Sequence, residues 1–185
     1  MAKLEIVRLG HPALKEIARP VEDPAAPEIA LLVEDMIEAL DEAGGVGLAA
    51  PQVGVSLRLV MFFVPPSRSD GGEAVPFTVL INPEIEPLGD EMASAYEGCL
   101  SLPGLTGVVP RWRRIRYRGI GLDGQIIERV AESFHARVVQ HECDHLDGRV
   151  YLSRMTMTDS LAYVDELVKT REPSPETARD LETVE

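Results

Sequence analysis

His141-Glu142-Cys143-Asp144-His145 stands inside a stretch of helical periodicity that runs from about Ser133 to Gly148. Ala136, Val138 and Val139 upstream and Leu146 downstream give that stretch an apolar side. On a helix, positions i and i+4 lie on one face, so His141 and His145 can grip one metal ion together. Glu142 then lies beside that ion, where a general base for a metal-activated water is needed. The bland alternative is a surface helix whose two histidines merely share a face.

Two other segments weigh against that alternative. In Glu97-Gly98-Cys99-Leu100-Ser101, Cys99 can add a thiolate to the two imidazoles. A Cys-His-His set leaves a fourth position open, which is the mark of a catalytic rather than a structural site. In Gly45-Val46-Gly47-Leu48-Ala49-Ala50-Pro51-Gln52, the glycines allow close backbone approach to a ligand, and Gln52 offers a side-chain amide. Taken singly, a glycine-rich stretch reads as a turn and a lone cysteine as a small buried hydrophobe.

Together and in this order, the three segments resemble the peptide deformylase family, with its G-x-G-x-A-A-x-Q, E-G-C-L-S and Q-H-E-x-D-H motifs. Gly45 to Gln52, Glu97 to Ser101 and Gln140 to His145 match them without a break. The resemblance extends from about Leu9 to about Met155. It implies a hydrolase that removes the formyl group from the N-terminal formyl-methionine of newly made polypeptides and releases formate. Cys99, His141 and His145 would hold one divalent metal ion. Ferrous iron (Fe2+) is expected as the native ion, with Zn2+, Ni2+ or Co2+ able to take its place. Glu142 would serve as general base and then acid, with a metal-activated water as nucleophile. Gln52 and the backbone N–H of Leu100 would hold the oxyanion. Val46, Phe134 and Val138 are expected to line a pocket for the methionine side chain, since Phe134, Val138, His141 and His145 share a helix face. Gly47, Glu97 and Gly98 are expected to shape the peptide-binding groove, with strand addition along 44–47.

Composition sets outer bounds. The 185 residues suit a single domain, expected over 1–170, followed by an acidic and mobile tail over 171–185. A net charge of −13 argues against a partner of free nucleic acid. No apolar run is long enough to span a bilayer, and no membrane partner is expected. Two cysteines, Cys99 and Cys143, give no disulfide framework, and a reducing, cytoplasmic setting suits a thiolate ligand. Cys143, off the metal face, reads as a buried apolar residue.

Along the chain, Pro12 opens a short helix and Pro27 a longer one, whose stripe Ile29, Leu32, Val33, Met36, Ile37 and Leu40 faces the core until Gly44 ends it. Leu57 to Val64 reads as a buried strand, Ser67 to Glu73 as a polar loop, and Phe77 to Ile81 as a strand closed by Asn82-Pro83. Arg114 to Leu122 and Gln125 to Val130 read as a hairpin across a type I′ Asp123-Gly124 turn. A last helix is expected from about Asp159 to Thr170. Strands, one central metal-binding helix and a C-terminal helix make an α+β fold with mainly antiparallel sheets, and the resemblance implies the same fold. In the run Arg111 to Arg118, Arg114, Arg116 and Arg118 share a strand face. It reads as a solvated face, with contact to the ribosome as the sharper reading. Two rivals remain on the sequence alone: a zinc endopeptidase, and a metal-stabilised binding protein without activity.

Overall fold

The computed structural model describes residues 4–69 and 74–170. The elements run α1 (Pro27–Ala43), β1 (Gly47–Ala49), β2 (Leu59–Val64), β3 (Val75–Pro87), β4 (Met92–Glu97), β5 (Leu105–Trp112), β6 (Arg114–Ile120), β7 (Ile126–Glu132), α2 (Ser133–Leu146), β8 (Ala162–Tyr163) and α3 (Val164–Thr170). All strand pairs are antiparallel. They form one sheet in the order β1-β2-β3-β6-β7 and a second in the order β4-β5-β8. This is the α+β architecture with a helix at its centre that the sequence led us to expect.

The unbroken apolar run in β2 has a physical cause. Successive side chains of a strand point to opposite faces. Leu59 and Met61 pack with Ile29, Val33, Met36 and Leu40 of α1. Val60 and Phe62 pack with Val138, Val139 and Leu146 of α2. The strand is therefore buried on both faces, between the two helices. α1 begins with Pro27 in its first turn and ends at Gly44, which adopts φ 72 and donates its N–H to the carbonyls of Leu40 and Asp41. Leu32 and Ile37, expected in the core, sit half-buried at its margin.

Several boundaries differ from the sequence reading. β3 does not stop at Asn82-Pro83 but continues to Pro87 through a bulge between Ile81 and Glu84. Asn82 takes φ 50 there, and its side-chain amide accepts from the N–H and donates to the carbonyl of Val21. Those bonds hold the kink that lets proline stay in a strand. The β6–β7 connection is not a two-residue type I′ turn, because among the described residues only Gly124 of that dipeptide has positive φ. Gly124 instead donates its N–H to the carbonyl of Gly121, and Gly121 donates to Gln125, which makes a longer loop with a left-handed glycine. Ser133 does not cap α2; it has φ 52, and Glu132 stands at the cap position without a side-chain capping bond. The helix expected from Asp159 resolves into β8, captured by the edge of β5 through Leu105 and Thr106, and the short α3. The tail 171–185 and the middle of the polar loop, 70–73, lie outside the described residues. Among the described residues no helix is long and apolar enough to cross a membrane.

The arginine run breaks at Arg113. Arg111 belongs to β5 and is buried, whereas Arg114, Arg116 and Arg118 share the outer face of β6. Each of these three meets a carboxylate: Glu132 for Arg114, Glu86 for Arg116 and Glu84 for Arg118, at 2.7 to 2.9 Å.

Candidate metal centre and peptide cleft

Helix α2 runs between the two sheets and carries His141 and His145 on the face that looks toward Cys99, in the segment that follows β4. The ligand atoms of Cys99, His141 and His145 lie within 4.8 Å of one another, and all three residues are buried. Cys99 Sγ is 3.4 Å from His145 Nε2. Burial works to raise the Cys99 thiol, but His145 and His141 beside it prevail and bring it down to about 5. A thiolate with two imidazoles is a fitting donor set for a divalent transition ion. The fit is supported by two buried atoms beside the cluster that have no partner among the described residues, Glu142 Oε2 and His145 Nδ1. Burial pushes the Glu142 carboxyl up to about 7, against the pull of His141 and His145. A group poised there can take and return a proton near neutral pH.

Gln52 lies in a 3-10 turn directly after β1. Its Oε1 accepts the N–H of Ala49 at 2.8 Å, which fixes which end of the amide is which. The NH2 end therefore faces the cluster, 3.5 Å from Cys99 Sγ and 3.4 Å from Ser101 Oγ. Gly47 passes so close to Glu142 that an added Cβ would collide with its carboxylate.

An open cleft leads to the cluster. Gly45, Val46 and Gly47 form one wall, Tyr96, Glu97, Gly98 and Leu100 the other, and Phe134, Arg137 and Val138 of α2 the floor. The expected site residues thus meet in one place: Val46, Gly47, Gln52, Glu97, Gly98, Cys99, Leu100, Phe134, Val138, His141 and Glu142 all border this cleft, with His145 behind it. Phe134 carries the guanidinium of Arg68 over its ring, at 5.2 Å.

Glu97 does more than shape a loop. One oxygen, Oε2, accepts from His141 Nδ1 and from Arg111 Nη2, both at 2.9 Å. The other accepts from Arg111 Nε at 2.9 Å and Arg137 Nη1 at 2.6 Å. Burial opposes its charge, yet Arg111 and His141 hold its carboxyl far below the usual range. Such a partner fixes a ligating imidazole's tautomer and orientation. Asp144 turns away from His145 and pairs with Arg111 and Arg154, each at 2.5 Å. Gln140 clamps the backbone of Trp112, accepting its N–H at 3.1 Å and donating to its carbonyl at 2.9 Å. Tyr151, buried, stacks on His141 with ring centroids 6.3 Å apart. Burial pushes the Cys143 thiol far up, so it stays a neutral packing group.

Sequence reasoning missed Arg111 and Arg137 as parts of this site. The sequence does lead one to expect Glu97 to anchor its loop through an arginine, and the structure supplies two, Arg111 and Arg137.

A thiol, two histidines one helical turn apart and an adjacent carboxylate, opening on a cleft, are the site of a metal-dependent hydrolase class. The chain belongs to the polypeptide deformylase family, whose model matches residues 3–160. It is 52% identical over 170 residues to peptide deformylase 1 of Bordetella pertussis, covering 91% of this chain and 97% of that one. It is 54% identical over 151 residues to peptide deformylase 2 of Ralstonia nicotianae, with 81% and 85% covered. Among solved structures, the class I type b peptide deformylase of Acinetobacter baumannii with Met-Ala-Ser bound aligns with a TM-score of 0.76 at 35% identity, covering 83% of this chain and 99% of that one. The peptide deformylase of Thermus thermophilus aligns with a TM-score of 0.71 at 43% identity, with 81% and 84% covered.

Proposed function

We propose that residues 1–170 form one catalytic domain that hydrolyses the formyl group from N-terminal formyl-methionine of newly made polypeptides, releasing formate. The observation that carries this is the meeting of Cys99, His141 and His145 beside Glu142 Oε2, which has no partner among the described residues, at the end of a cleft lined by Phe134 and Val138. Bound there, a divalent ion supplies a Lewis acid that polarises the formyl carbonyl and acidifies water.

The chain's own groups do the rest. Glu142 accepts the water's proton and later gives it to the leaving amine. The NH2 of Gln52, aimed by the Ala49 bond, and the N–H of Leu100 receive the developing oxyanion. Val46, Phe134 and Val138, with the aliphatic stem of Arg137, enclose an apolar methionine side chain. Gly45 to Gly47 leave the free edge of β1 open to an extended peptide, and Gly98 leaves room opposite. The Acinetobacter baumannii relative holds Met-Ala-Ser, the peptide that deformylation of formyl-Met-Ala-Ser leaves behind.

We take Fe2+ as the native ion on the family likeness, and metal analysis of protein purified without oxygen tests it. A cytoplasmic site of action follows from the nascent-chain substrate. A ribosomal contact through Arg114, Arg116 and Arg118 has little support, because glutamates balance that face. Unchanged ribosome co-sedimentation after charge reversal of Arg114 and Arg116 would remove it.

The deciding experiment is formate release from formyl-Met-Ala-Ser by metal-replete protein, beside Glu142→Ala with its metal content checked. Rapid release that vanishes in the loaded variant is the expected result. No release by the wild type overturns the reading, and cleavage of an internal peptide bond replaces it with a protease.

A further inference from the structure

Arg137 sits in the floor of the cleft, on the metal-binding helix, with its side chain only 9% exposed. Its guanidinium joins three separate pieces of chain. Nη2 donates to the carbonyl of Ala93 in β4 at 2.7 Å. Nη1 donates to the carbonyl of Val109 in β5 at 2.9 Å and to Glu97 Oε1 at 2.6 Å. β4 is an edge strand, bonded to β5 on one side only, and it leads directly into the cleft wall at Tyr96, Glu97 and Gly98.

The two buried arginines divide their work. Arg111 grips both oxygens of Glu97 through Nε and Nη2, so the carboxylate that orients His141 remains held without Arg137. What Arg137 adds is a tie from α2 to the β4 main chain at Ala93, beyond the side-chain bond between His141 and Glu97. α2 in turn fixes the floor and His141. This guanidinium therefore helps to set how the wall stands against the metal-binding helix, beside the His141–Glu97, Arg111–Asp144 and Gln140–Trp112 contacts. Charge-assisted bonds from a buried arginine to main-chain carbonyls are among the stronger ties a strand can receive.

We propose that Arg137 is a positioning residue for the peptide: it holds the β4 wall against the metal-binding helix and so keeps in place the surface that grips the peptide away from the reacting bond. This rests on the deformylase reading of the cleft. A wall that grips the peptide equally in the ground state and the transition state gives, when loosened, a higher KM with kcat nearly unchanged. A residue that only supports the fold lowers the active fraction, hence apparent kcat, at constant KM.

The test uses metal-replete Arg137→Met, which keeps the stem that lines the pocket, and Arg137→Lys, which keeps one charge but cannot reach three acceptors at once. With formyl-Met-Ala-Ser, the methionine variant is expected to raise KM about tenfold, the order of a lost charge-assisted bond, with kcat within about twofold. The lysine variant should recover part of the loss. Hydrogen exchange in the peptide-free protein should quicken about tenfold in Ala93 to Glu97 and not in α1. Unchanged KM, a fall confined to kcat, or exchange that quickens throughout the molecule overturns the proposal. So does loss of folding in both variants, which assigns Arg137 to the scaffold. If the wild type releases no formate, the deformylase reading has failed, while the exchange measurement still decides whether Arg137 holds β4.

Discussion

At Gly47 the chain has no room for a side chain. A Cβ there would meet the carboxylate of Glu142, with Cδ at 2.8 Å and Cγ at 3.0 Å. Gly47→Ala is expected to displace Glu142 and cut formate release about 100-fold, the cost of roughly an ångström's misplacement at a reacting group. Circular dichroism and metal content should stay as in the wild type. Gln52→Ala removes a single oxyanion donor and is expected to lower kcat by about 100- to 1000-fold with little change in KM. His135 provides a pH test away from the metal. Burial, and then Arg129 nearby, hold its pKa down at about 4 in the folded protein, against about 6.5 for an unperturbed histidine. Between those values the unfolded chain binds the proton and the folded one does not. The folded state thus loses stability as pH falls from about 6.5 to about 4. Thermal melts across that window should show a smaller fall in Tm for His135→Gln than for the wild type. The residues nearest the chemistry were legible because the motif spacings alone put them in reach of one another. Arg137 was not legible: its role depends on meeting the carbonyl of Ala93, 44 positions away, which no local pattern encodes.

Elements were legible where one force decided them. α1 and α2 follow from apolar periodicity, and β2 from an unbroken apolar run that two helices cover. β4 and β5 escaped notice because Met92–Glu97 is short and half-exposed and Leu105–Trp112 contains glycine and proline. Their pairing is long-range in cause, since Arg111 through Asp144, Arg137 through the Val109 carbonyl and Gln140 through the Trp112 backbone tie the hairpin to α2. Asp144 is the other anchor of that contact, pairing with Arg111 on β5 and Arg154 after the helix. Burial opposes its charge, yet these two arginines hold its carboxyl low. Removing one partner from a buried ionic network leaves charge uncompensated. Asp144→Ala is therefore expected to cost about 3 kcal/mol, at the lower end for such a loss because Glu97 still pairs with Arg111. Denaturant unfolding should show a lower midpoint with an unchanged slope. A midpoint equal to the wild type's would mean that the network carries no net stability.

At the scale of the whole molecule, the three candidate ligands belong to two bodies. Cys99 follows the β4 wall of the smaller sheet, and His141 and His145 lie on the helix buried against the larger one. The arginine bridges tie these bodies in the protein itself, and an ion held by all three ligands would tie them again. An ion that binds only the folded arrangement stabilises it by mass action, about 4 kcal/mol when its free concentration is a thousand times Kd. For a chain of this size each kcal/mol moves Tm by roughly 2–4 °C. Chelation is therefore expected to lower Tm by about 10 °C, and the shift should reverse when Co2+ or Ni2+ is restored. In Cys99→Ala the anchor on the β4 side is gone, and added metal should raise Tm far less. Exchange measured with and without metal should then localise the gain to the segment around Cys99 and to α2. A gain spread evenly over α1 as well would show that the ion stabilises the protein without acting as a clasp between its two sheets.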